Sequence, residues 1–127
     1  RGLHFQKPPF NQAKLVRCIE GRVIDVAVDV RKGSPTYGKH VSVELTGENK
    51  RQLFVPRGFA HGFSVLSEEA NVLYKVVDAP DFDYGIRWKD KDLNINWGIK
   101  EGEVKLSEKD KSLTFFSDLE SPFDFNK

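Results

Sequence analysis

The stretch from Arg22 to Val30 constrains the fold more than any other part of the chain. Ile24, Val26, Val28 and Val30 fall on one side of it, and Val23, Asp25, Ala27 and Asp29 fall on the other. That period of two marks an extended strand. The same pattern recurs on either side. Leu15 to Ile19 ends at Gly21, and the turn Lys32-Gly33-Ser34-Pro35 leads into His40 to Leu45, with Val41, Val43 and Leu45 on one face. Glu48-Asn49-Lys50 turns the chain into Arg51 to Val55, and Pro56-Arg57-Gly58 leads on to Gly62 to Leu66. Asn71 to Val77 follows. Short strands at this spacing, with no long helical period between them, predict an all-β antiparallel sandwich or barrel. Beyond Asp78, Ala79 to Gly85 reads as a loop and Ile86-Arg87-Trp88 as a brief strand. Ser107 is placed to cap a short helical turn at Glu108-Lys109-Asp110.

A chain of 127 residues is the size of one domain, here residues 1–127. Its 39% hydrophobic content, with ten Phe, can build a core and excludes a disordered chain. Twenty Lys and Arg against nineteen Asp and Glu leave a net charge of +1, which argues against a dedicated nucleic-acid binder. The single cysteine, Cys18, excludes an internal disulfide framework and fits a reducing, cytoplasmic setting. No apolar run approaches the roughly 18 residues that a membrane helix needs. The abrupt, motif-dense opening at Arg1, in a sequence without methionine, predicts residues ahead of it.

Several side chains can carry chemistry, and each also has a structural reading. His4, between Leu3 and Phe5, is either a functional or a structural histidine, and His61, between aromatics and glycines, suits either a neutral base or a buried imidazole bonded to backbone. Asp25 interrupts an aliphatic strand, so it faces either water or a polar lumen. Tyr74 goes wherever Val72 and Val76 go, and Lys14 is a cation at a strand entrance. Asp110 can complete a capping box with Ser107. The histidines His4, His40 and His61 lack the His-x-His spacing of a strand-borne metal site, and neither a phosphate loop nor a Gly-x-Ser-x-Gly elbow is present.

Taken together, these segments resemble one family. Arg1-Gly2-Leu3-His4-Phe5-Gln6, Gln12-Ala13-Lys14-Leu15-Val16 and Asp25-Val26-Ala27-Val28-Asp29-Val30-Arg31 are similar to the catalytic core of dTDP-4-dehydrorhamnose 3,5-epimerases. The likeness continues through Gly33 to Gly38, Glu48 to Leu53, Val55 to Phe63 and Leu73-Tyr74-Lys75. It then runs through Gly85-Ile86-Arg87-Trp88 and ends at Leu106-Ser107-Glu108-Lys109-Asp110.

The resemblance implies a cupin-like jelly roll with a short C-terminal helical segment, working as a homodimer without metal or redox cofactor. It implies epimerisation of a dTDP-linked 4-keto-6-deoxy sugar at carbons 3 and 5. His4 would be the base, Asp110 its partner, Lys14 the enolate stabiliser and Tyr74 the acid. Arg1, Gln6, Asp25, His61 and Lys109 would bind substrate, with Arg1 and Lys109 on the diphosphate. Two departures bear on these expectations. The family's N-terminal strand region, used for nucleotide binding and strand exchange, has no counterpart before Arg1. Where a pair of tyrosines commonly follows Tyr-Lys, this chain has Val76-Val77-Asp78-Ala79-Pro80. That keeps open a single-site epimerase or ketoisomerase on a related sugar. A cupin-like binding module and a metal-dependent cupin oxygenase are the readings from other classes.

Overall fold

The computed structural model describes residues 1–8, 12–77 and 84–126. Ten strands run in the order β1 (His4–Phe5), β2 (Lys14–Glu20), β3 (Arg22–Asp29), β4 (Arg31–Lys32), β5 (His40–Thr46), β6 (Gln52–Val55), β7 (Phe59–Val65), β8 (Asn71–Val76), β9 (Tyr84–Gly85) and β10 (Phe123–Asp124). One helical turn, α1 (Glu108–Lys111), lies near the C-terminal end. A large sheet has the order β5-β3-β7-β1-β9 and a small one β6-β2-β8, both antiparallel. From β5 to β9 the chain changes sheet at every connection. This is the all-β cupin-like sandwich expected from the sequence.

The alternation in β3 explains how the layers assemble, but not in the usual one-sided way. Its even face, with Val26, Val28 and Val30, packs beneath Leu3, Phe5, Ile86, Leu93, Trp97 and Phe123. Its odd face, with Val23 and Ala27, packs against Val16, Cys18 and Val55 of the small sheet. Both faces of the central strand are therefore dry, and Asp25 and Asp29 are buried with them at 0% and 1% exposure. Facing water, the commoner state for a sandwich-strand Asp, is excluded for Asp25.

Asp29 is satisfied locally. The Arg31 guanidinium donates to both of its oxygens at 2.9 Å, and the hydroxyls of Ser34 and Thr36 donate at 2.6 and 2.5 Å. Burial alone would raise its pKa, but these hydrogen bonds hold the carboxyl well below the usual carboxylate range.

Three expectations change. Val43 and Leu45 face the inter-sheet core, whereas Val41 on the same face is exposed. The strand expected at Ile86 to Trp88 sits earlier, at Tyr84–Gly85. Tyr84 and Gly85, read as loop from composition, pair with Phe5 and His4, and the Tyr84 ring stacks on Phe5 at 6.1 Å. Tertiary pairing overrides the loop-forming composition there. The rest of the expected loop, from 78 to 83, lies outside the described residues. The strand at His4–Phe5 has no signature in the sequence, because two residues carry no readable period.

Glycine is required where backbones meet. Gly21, with φ of +86°, makes the reversal from β2 into β3, and a Cβ there would strike the Glu69 carbonyl. At Gly62 a Cβ would stand 2.6 Å from the Arg1 carbonyl oxygen and 3.2 Å from the Trp97 ring. Gly62→Ala is therefore expected to destabilise the fold by about 1–3 kcal/mol through overpacking, read as a shifted denaturant midpoint.

Candidate active site

The lumen between the sheets is filled by apolar side chains at one end and is hollow at the other. The register places His4 directly opposite His61, and His61 opposite Ala27, so the two imidazoles stand side by side on the inner face of the large sheet. On the small sheet, Lys14 pairs with Val76 and Val16 with Tyr74. Lys14 and Tyr74 are thus diagonal neighbours facing the histidines. Between these walls lies a cavity of about 320 Å³ lined by Arg1, His4, Gln6, Lys14, His61 and Tyr74, together with Gln12, Gly62, Phe63 and Val76.

His4 is 6% exposed. Its Nε2 lies 2.7 Å from Asp110 Oδ1. Asp110 Oδ2 accepts the Gly2 backbone N–H at 3.2 Å, so one buried carboxylate ties α1 to the strand that carries the histidine. The capping expectation holds by half: Ser107 Oγ accepts the Asp110 N–H at 3.2 Å, whereas the Asp110 carboxylate turns to His4 and Gly2. With Nε2–H directed at Asp110, a neutral imidazole has its lone pair at Nδ1, an atom buried from solvent. Asp110, Lys109, Lys105, Ser107, Arg1 and His4 border an adjoining hollow of about 300 Å³.

His61 forms a second buried pair, with Nε2 at 2.6 Å from Asp25 Oδ1. Asp25 has no exposed surface and reaches the cavity only through this imidazole. His61 meets the Tyr74 ring edge-on, with centroids 5.9 Å apart. Burial pushes the Tyr74 phenol above its ordinary pKa; the Asp25 carboxylate adds to this and Arg1 partly opposes it. The phenol therefore keeps its proton at neutral pH.

Of the nine residues singled out in the sequence, six line one cavity, Lys109 and Asp110 line the adjoining hollow, and Asp25 stands behind His61. Tyr84, the tyrosine nearest the missing pair, stacks on Phe5 on the opposite face of β1 from His4. Gln12, Phe63, Val76 and Lys105 were missed. Phe63 and Gln12 each stand two residues from a recognised position, so the strand period could have found them. Lys105 carries no such signal. Among the described residues no group of three or more His, Cys, Asp or Glu side chains is gathered as a metal ion would need. Among them, too, no helix is long and apolar enough to cross a membrane.

Known proteins resemble this chain over most of its length. The family model for dTDP-4-dehydrorhamnose 3,5-epimerase matches residues 1–118. The chain is 54% identical over 112 residues to the dTDP-4-dehydrorhamnose 3,5-epimerase of Shigella flexneri, covering 87% of this chain and 61% of that protein. A crystal structure of dTDP-4-dehydrorhamnose 3,5-epimerase from Elizabethkingia anophelis superposes with a TM-score of 0.90 at 52% identity, covering 93% of this chain and 66% of that one. A Legionella pneumophila dTDP-6-deoxy-D-glucose-3,5-epimerase, solved in complex with dTDP-4-keto-L-rhamnose, gives 0.89 at 45% identity, covering 94% and 63%. The chain thus spans a little under two thirds of the length of these relatives. With the family's motifs collinear from the first residue and its fold reproduced, the chain belongs to the dTDP-4-dehydrorhamnose 3,5-epimerase family.

Proposed function

We propose that the protein inverts carbons 3 and 5 of dTDP-4-dehydro-6-deoxy-D-glucose, giving dTDP-4-dehydro-L-rhamnose. The observation that carries this reading is the opposition across one cavity of the His4–Asp110 pair on the large sheet and Tyr74 with Lys14 on the small one. Both carbons flank the ketone, so their protons are acidified. His4 takes the proton, the C–H electron pair becomes a C=C bond, and the carbonyl π pair moves onto oxygen as an enolate. The Lys14 ammonium faces that charge, and Asp110 steadies the imidazolium. The Tyr74 O–H then delivers a proton to the opposite face of the carbon as the enolate collapses to the ketone; the His4 imidazolium releases its proton to solvent and solvent reprotonates the phenolate, which resets both groups for the second carbon. Gln6, His61 and Asp25 shape the pocket. Arg1 and Lys109, with Lys105 beside them, form the cationic rim for the diphosphate. A homodimer acting in the cytoplasm completes the reading.

The test is incubation with dTDP-4-keto-6-deoxyglucose in deuterated water, with the exchanged carbons located by NMR. Exchange and inversion at both carbons is the expected result. Inversion at one carbon would replace the reading with single-site epimerisation, and no exchange would overturn it. Tyr74→Phe keeps the ring but removes the donor. Net inversion is expected to fall about 10²–10⁴-fold while deuterium still enters the substrate with retention, through the His4 side. Because the phenol pKa is raised, the alkaline limb set by Tyr74 is expected above pH ~10 in the wild type and is absent in this variant.

A further inference from the structure

Tyr74 has weak support from its own sheet. It lies on β8, which among the described residues is an edge strand paired with β2 alone, and it is 37% exposed. Its ring contacts among the described residues come from the opposite wall: His61, edge-on at 5.9 Å, and Phe63, tilted by 49° at 6.4 Å. Those two residues are alternate positions on the inner face of β7. The backbone of Phe63 is held on both sides. It exchanges hydrogen bonds with Arg1 at 2.9 and 2.7 Å, and it stands opposite Asp25 of β3. Phe63 also lines both this cavity and a neighbouring hollow of about 560 Å³ that reaches Trp88 and Trp97.

A ring fixed on a central strand therefore presses on a ring carried by an edge strand. An edge-on imidazole alone leaves the phenol free to pivot about that contact. A second, tilted aromatic surface removes the freedom. We infer that Phe63 is a positioning residue for Tyr74, holding the phenol where it meets the face of the sugar that His4 does not reach. The inference rests on the reaction proposed above and adds to it a residue with no polar atom and no part in proton transfer. Its effect is on placement, and a shift of about 1 Å in a donor can cost on the order of 10²-fold in rate.

The experiment compares deuterium exchange into the substrate with net inversion in the full protein, using dTDP-4-keto-6-deoxyglucose. Phe63→Ala is expected to raise the ratio of exchange to inversion by about 10- to 100-fold, with kcat for inversion falling and KM moving less. Phe63→Leu, which refills the volume, is expected to recover most of the inversion. A parallel fall of exchange and inversion, or no change in either, would overturn the inference, since a merely structural defect lowers both alike. Should the alanine chain fail to fold, Phe63→Val removes the ring with a residue suited to a strand, and the same two outcomes apply. A wild type showing neither exchange nor inversion overturns the proposed reaction itself, which is a different result from equal losses in the variant.

Discussion

His4→Ala is expected to abolish solvent-deuterium incorporation at the carbons flanking the ketone. The size of the effect follows from the geometry. Among the described residues only His4 and His61 bring an imidazole to the cavity, each with Nε2 against a carboxylate, and of the two it is His61 that packs edge-on against the proposed donor, Tyr74. Removing a positioned general base costs about 10²–10⁴-fold, and both exchange and inversion start with that base. This separates the variant from Tyr74→Phe, in which exchange survives. The substitution also takes away the imidazole that faces the buried Asp110 carboxylate. His4→Gln supplies an amide N–H in its place but no base at neutral pH. Loss of exchange in the glutamine variant, with an unchanged circular dichroism spectrum, assigns the loss to chemistry. Undiminished exchange in either folded variant would remove His4 from the mechanism.

The second large effect concerns stability. Asp29→Ala removes the acceptor shared by Arg31, Ser34 and Thr36, in a position that is 1% exposed. The Arg31 side chain left behind is 30% exposed, so water screens part of its stranded charge. The expected loss is about 2–4 kcal/mol at pH 7, measured by denaturant unfolding. The pH dependence has a definite sign. The folded-state pKa of Asp29 is depressed, so its contribution is complete above the unfolded value of about 4 and is lost as pH falls through the folded value. The gap between wild type and Asp29→Ala therefore narrows below pH ~4, by up to about 1.4 kcal/mol per pH unit. A gap that stayed constant down to pH 2 would mean that the charge of Asp29 contributes nothing.

Strand periodicity made most of the scaffold legible, because β2, β3, β5 and β8 are long enough to show it. What the pattern could not tell was that both faces of β3 are covered. That depends on the segment from Leu93 to Phe123, whose polar composition hides Leu93, Trp97 and Phe123 as core residues. Strand alternation also put Asp25 on a definite face, but only the facing sheet decided that this face is dry. The His4–Asp110 pair is the least readable from residues alone. His4 sits on a two-residue strand and Asp110 in a four-residue helix, and neither is long enough to declare its orientation. Family resemblance joined them before geometry could. Phe63 was within reach of the alternation rule, because it follows His61 by two on β7. An apolar ring there reads as packing until Tyr74 is seen leaning on it.

The hydrogen bond from Gly2 to Asp110 closes a separation of 108 residues, and β1 can form only after β7 and β9 exist to receive it. Ordering contacts so distant along a chain carries a large closure entropy and slows folding. His4 and Asp110 are thus brought together across the remotest pairing in the site, while β2, β3, β5 and β8 can assemble from nearer neighbours. A nascent or partly denatured molecule can hold most of its sandwich and still have no oriented base. In the proposed reaction, proton abstraction becomes available only once the segment at Gly2 to His4 has met Asp110.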